Sequence, residues 1–98
     1  MASTESYLQY VLEQLSSVEG ITHRAMMGEY LLYVRGKVVG GVYDDRLLVK
    51  PTPSAKALLS TAPLALPYEG GKPMLLVTEA DDRETLARVF ETVYGDLK

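Results

Sequence analysis

The sequence predicts a two-layer α+β domain, and three observations lead there. Apolar residues recur at spacings of three and four near both ends of the chain, which marks amphipathic helices. Between them lie period-two apolar runs separated by two-residue turn signals, which mark antiparallel strands. Proline steps then set off a short middle helix from a last strand. The expected order is α-β-β-β-β-α-β-α, with helices at start, middle and end around an antiparallel sheet. The chain has 98 residues, a length suited to one domain, so residues 1–98 are read as a single domain.

The first helix is expected over residues 4–17, where Tyr7, Leu8, Val11, Leu12, Leu15 and Val18 form one stripe, and Gly20 closes it. Residues 21–27 read as a strand that ends at Gly28. Residues 29–35 and 37–43 are the clearest strands, joined by a Gly36-Lys37 step that suits a tight turn with glycine first. Asp44-Asp45 is the next turn, and residues 46–50 form the strand after it. Thr52 is placed to cap a helix with Pro53 at its first position, over residues 53–61. Residues 62–72 carry no element by composition, and 74–78 is the last strand. Asp81 with Glu84 three residues on resembles a capping box, and Leu86, Val89, Phe90, Val93 and Leu97 mark the final helix. The expected core includes Leu12, Leu32, Val42, Val49, Val77 and Phe90.

Alternation along the strands sorts their side chains into two sets. One set holds Tyr30, Leu32, Val34, Val38, Val42, Leu47, Val49, Leu75 and Val77 and belongs under the helices. The other should face water, yet it carries Leu31, Tyr33, Val39, Tyr43, Leu48, Met74 and Leu76, ringed by Glu29, Arg35, Arg46 and Lys50. An apolar centre with a charged rim is the pattern of an interaction surface. Leu31, Tyr33, Tyr43 and Leu48 are its expected centre. The alternatives are that one or two of the chain's helices cover this face, or that its exposed apolar residues are scattered and carry no meaning.

Composition excludes several functions. The net charge is −3 and the basic residues are dispersed among acids, so direct nucleic-acid binding is not expected. Tyr33 and Tyr43 as base-stacking platforms run against the same balance. Without cysteine there is no disulfide, thiolate site or cysteine nucleophile, as in cytoplasmic proteins. The polar, acidic N-terminus does not read as a signal peptide, and no apolar run reaches the ~20 residues of a membrane span. His23 is the only histidine, and Asp44-Asp45 and Asp81-Asp82 sit where a turn and a helix start want acids. No metal, cofactor or catalytic residue is therefore expected. Met26-Met27-Gly28 reads as core plus a glycine turn, with a flexible contact surface as the alternative. Gly40-Gly41 inside a strand signals a bulge or a close backbone approach.

Three stretches carry a family resemblance: Arg24-Ala25-Met26-Met27-Gly28-Glu29-Tyr30, Tyr33-Val34-Arg35-Gly36-Lys37-Val38, and Leu47-Leu48-Val49-Lys50. With Tyr68-Glu69-Gly70 they resemble the N-terminal domain of the TfoX/Sxy competence-regulator family, with Met27 where that family tends to have Phe. The resemblance implies a secretion-chaperone-like α+β fold, frequent dimerisation, and a link to regulation of competence and transcription. The sequence thus points to a non-enzymatic regulatory module that binds a protein partner or a second copy. The alternative is a small-molecule-binding domain or cryptic enzyme with an anion site near Arg24 and Lys50, where Met26 and Tyr30 would join them.

Overall fold

The computed structural model describes residues 3–78 and 80–97. Its elements are α1 (Glu5–Gln14), β1 (Ile21–Met26), β2 (Glu29–Val34), β3 (Lys37–Tyr43), β4 (Arg46–Val49), α2 (Pro53–Leu58), β5 (Leu64–Ala65), β6 (Met74–Leu76) and α3 (Arg83–Asp96). The strands form one six-stranded sheet in the order β1-β2-β3-β4-β6-β5, antiparallel throughout. The expected order holds, with one addition. β5 is a two-residue strand inside the stretch read as irregular, and it pairs with β6 through Leu64–Leu75 and Ala65–Met74.

Three two-residue turns build the β1–β4 meander. Met27 and Gly28 have φ of 52° and 84°, Arg35 and Gly36 have 46° and 87°, and Asp44 and Asp45 both have 54°. Positive φ at both central residues is the type I′ geometry, whose twist matches that of the flanking strands. This places the second turn at Arg35-Gly36 instead of Gly36-Lys37, and Lys37 pairs with Val34 as the first residue of β3. The Asp44-Asp45 turn has no glycine, and the N-terminal segment supports it. Glu29 accepts from the Asp44 N–H at 3.0 Å, Ser3 Oγ accepts from the Asp45 N–H at 3.1 Å, and the Asp45 carboxylate accepts from the Thr4 N–H at 2.8 Å.

Each helix begins on a side-chain cap. Thr4 accepts from the Tyr7 N–H and Thr52 from the Ala55 N–H. For α3 the cap is Asp82, one residue later than the Asp81–Glu84 spacing suggested. Its carboxylate accepts from the Thr85 N–H at 3.2 Å and the Thr85 hydroxyl at 2.9 Å. At the far end of α3, Asp96 accepts from the Ser54 N–H and hydroxyl, both at 2.8 Å, and so ties the C-terminus of α3 to the start of α2.

One apolar cluster joins all three helices to the sheet. Leu8, Val11 and Leu15 come from α1, Ala55 from α2, and Leu86, Val89, Phe90 and Val93 from α3. They meet Leu32, Val34, Val42, Leu47, Val49, Leu75 and Val77 from the sheet side. Of the expected core, Leu12 is only half-buried.

Val38 and Val39 exchange roles. Between Leu32 and Tyr33 the pairing partner on β3 jumps from Gly40 to Val38, so Val39 is the extra residue of a bulge. Val39 is fully buried in the helix-side core, while Val38 pairs with Tyr33 on the other face. Arg35 also leaves its expected rim position. As a turn residue it escapes the alternation, and its guanidinium pairs with Glu91 of α3 and lies 4.3 Å from the Tyr94 ring. No described helix is long and apolar enough to cross a membrane.

Phe90 is the largest fully buried side chain. Phe90→Ala is expected to cost about 3–5 kcal/mol in chemical denaturation, a large share of a typical ~5–15 kcal/mol. Hydrogen bonds from Thr85 and from Ser54 hold the Asp82 and Asp96 carboxyls below their ordinary pKa. The stability they add is complete above the unfolded carboxylate pKa of about 3.9 and is lost as pH falls through their lowered folded values. Thermal melts should therefore drop below about pH 4, and Asp96→Asn should flatten part of that drop.

Candidate functional site

The sheet face away from the helices is the candidate site. Gly40 and Gly41 shape its middle. A Cβ on Gly40 would lie 2.1 Å from the Leu48 carbonyl oxygen, and one on Gly41 would lie 2.5 Å from the Tyr30 carbonyl oxygen and 2.7 Å from the Tyr43 ring. Only glycine permits these approaches. The Tyr43 ring therefore leans over Gly41, in the place a side chain would occupy.

The chain covers part of this face itself. After β5 it turns back, and the Arg46 guanidinium donates to the Leu66 carbonyl at 2.9 Å and to the Tyr43 carbonyl at 3.2 Å. Tyr68 comes to 6.2 Å from Tyr43, ring centre to ring centre, at a tilt of 56°. Pro67 between them is buried. Tyr43 is 4% exposed and Leu48 is fully buried. Burial, together with the nearby Tyr68 and Glu29, raises the Tyr43 pKa, so its hydroxyl stays protonated at neutral pH.

The four residues expected at the centre of an interaction surface thus divide. Tyr43 and Leu48 are internal, while Leu31 and Tyr33 on β2 are half-buried beside the outer strand β1. Leu31 pairs with Arg24 and Tyr33 with Thr22. β1 itself has five of its six residues exposed, and no described segment pairs with its outer side.

The residues expected around an anion do not converge. Arg24 lies on β1 and Lys50 follows β4, three strand spacings or about 14 Å away. Met26 shares Arg24's face. Tyr30 pairs with Ala25 and points to the helix side, where its ring meets His23 edge-on at 6.3 Å. Lys50 has other neighbours instead. It stands at a cleft of about 680 Å³ between β3 and the returning segment, with Tyr43, Tyr68, Met74 and Lys72. Sequence reasoning missed Tyr68 and Lys72 as site residues. The available signal was a long connection punctuated by Pro63, Pro67, Gly70, Gly71 and Pro73, since such loops are kept for function. Among the described residues, no group of three His, Asp or Glu side chains is placed to hold a metal ion.

Arg46 is the tie between the returning segment and the sheet. Arg46→Ala should leave the helix-side core intact but raise amide hydrogen exchange across residues 64–73 and at Tyr43, read by mass spectrometry.

Residues 13–94, which run from the end of α1 to the last turn of α3, match the family described as the TfoX N-terminal domain. An uncharacterized 12.7 kDa protein in the trpE 5' region of Spirochaeta aurantia is 38% identical over 72 residues, a match that covers 74% of this chain. The match spans 63% of that relative's length, less than two thirds of it. The matched stretch contains the whole sheet and the cleft, and the chain belongs to the TfoX N-terminal domain family.

Proposed function

We propose that this domain is a non-enzymatic regulatory module of the cytoplasm that binds an extended, acidic segment of a partner protein along the outer edge of β1. The observation that carries this reading is an open edge strand that ends in a strained, exposed methionine. Met27 is 96% exposed at φ 52°. Asparagine or glycine would suit that turn position better, and a large apolar side chain held there in water gains nothing for folding. An unpaired strand edge offers a row of backbone donors and acceptors to an incoming strand. Leu31, Tyr33 and Met26 beside it supply apolar contact on one face.

Charge selects the occupant. β1 reads Ile-Thr-His-Arg-Ala-Met and contains no acid. Two copies related by a twofold axis would pair antiparallel, and the two registers with the longest overlap set either His23 against His23 or Arg24 against Arg24. In the second of these, like charges stand directly opposite and disfavour the pairing. An acidic strand meets Arg24 favourably. Family membership supports a regulatory role, through the link of TfoX-type proteins to competence and transcription.

The test is capture of partners, followed by titration of the acidic segment of a captured protein as a synthetic peptide. Binding should perturb the amides of residues 21–26 and weaken with salt. Arg24→Glu should lower affinity by about tenfold or more, and Tyr33→Asp should weaken it without unfolding the domain. Met27→Asn should raise the melting temperature and still weaken binding. A twofold solution mass with β1 amides protected, or binding indifferent to Arg24→Glu, would overturn the proposal.

A further inference from the structure

Independently of the β1 edge, we infer that the cleft between β3 and residues 67–74 is a binding site for a small, flat organic anion, an aromatic or heteroaromatic carboxylate held between Lys50 and Lys72. Three features of the cleft converge on that class. Its volume, about 680 Å³, matches the range of small-molecule sites. Its walls are mostly apolar, built from Val38, Pro67, Met74 and the Tyr43 and Tyr68 rings. Among the described residues, its charged groups are two lysines and no carboxylate lines it.

The lysines make the case for an anion. Lys50 is half-buried, and among the described residues the one ion pair joins Arg35 to Glu91 and involves neither lysine. A partly desolvated ammonium without a counter-ion is unfavourable, and a ligand carboxylate would offset that cost. The walls make the case for a flat apolar body. An inorganic anion would leave the exposed Tyr68 ring and Met74 without an apolar partner, whereas an aromatic plate would lie against Tyr68. Paired lysines without an arginine fork bind by charge rather than by bidentate geometry.

The glycines of the loop bring the walls together. Gly71 donates its N–H to the Tyr68 carbonyl at 3.0 Å, and a Cβ there would lie 3.0 Å from the Tyr68 ring and 3.1 Å from Pro67. Gly70 has φ of 84°. The turn therefore brings Tyr68 and Pro67 together beside the sheet, and Lys72, the next residue, lines the cleft with Lys50. Ligand binding would fix this loop over Tyr43.

The probe is 8-anilinonaphthalene-1-sulfonate, whose sulfonate stands in for the carboxylate, followed by fluorescence. The neutral N-phenyl-1-naphthylamine controls for apolar binding, and 2-naphthoate, acetate and inorganic phosphate serve as competitors. The expected result is saturable one-to-one binding that 2-naphthoate displaces and that acetate and phosphate do not. Lys50→Ala and Lys72→Ala should each weaken the anionic probe by about tenfold and leave the neutral probe nearly unchanged, while Lys50→Arg should retain binding. Amide shifts should centre on residues 68–74, and melting curves should show the variants folded. Absence of saturable binding, equal loss of the charged and neutral probes, displacement by phosphate alone, or shifts centred elsewhere would overturn the inference.

Discussion

The close approach of β3 to its neighbours at Gly40 and Gly41 is the constraint on which the rest of the structure depends. A β-carbon at Gly40 would enter the Leu48 carbonyl and the Val49 backbone, and one at Gly41 would meet the Tyr30 carbonyl. The strand is free of side chains where its pairing partner shifts, and the bulge at Val39 follows directly before it. The bulge turns Val39 into the helix-side core and Val38 outward. The bare backbone of Gly41 leaves room for the Tyr43 ring. One pair of small residues therefore sets both the packing on one face and the floor of the site on the other.

The two faces are closed by different means. Helices seal one with a continuous apolar cluster. A short strap of irregular chain closes part of the other, held by one hydrogen bond from Arg46 to the Leu66 carbonyl and a tyrosine contact. A helix–sheet core buries many side chains at once and opens only when the domain unfolds. A strap held by few contacts opens at much lower cost, and such segments are where ligand-binding loops are found. The cleft lies under the strap for that reason.

The sheet's edges are as unequal as its faces. β5 is two residues long and flanked by Pro63 and Pro67, a short edge that resists pairing. β1 is six residues long without proline, and Arg24 and His23 are its only protection. A charge guards an edge against like strands and leaves it open to an oppositely charged one. Strand β2 separates the β1 edge from the cleft, whose wall begins at β3.

The sequence alone determined the element order, the helix-side core and the family. These rest on short-range regularities: the stripe from Leu8 to Leu15, the alternation Tyr30-Leu32-Val34, the capping residues Thr4 and Thr52. Each acts within one or two turns of chain, so local spacing suffices to read it. Residues Val38 and Val39 show where that reading stops, because a single inserted residue reverses their two assignments and only the pairing with Leu32 and Tyr33 reveals the insertion. The division of Leu31 and Tyr33 from Tyr43 and Leu48, the separation of Arg24 from Lys50, and the meeting of Lys50 with Tyr68 and Lys72 were likewise decided by the tertiary structure. They join residues far apart in the chain, such as Arg46 and Leu66, through a strap with no periodic pattern. Where such a segment lands depends on the surface it meets, and alternation along a strand carries no information about what crosses above it.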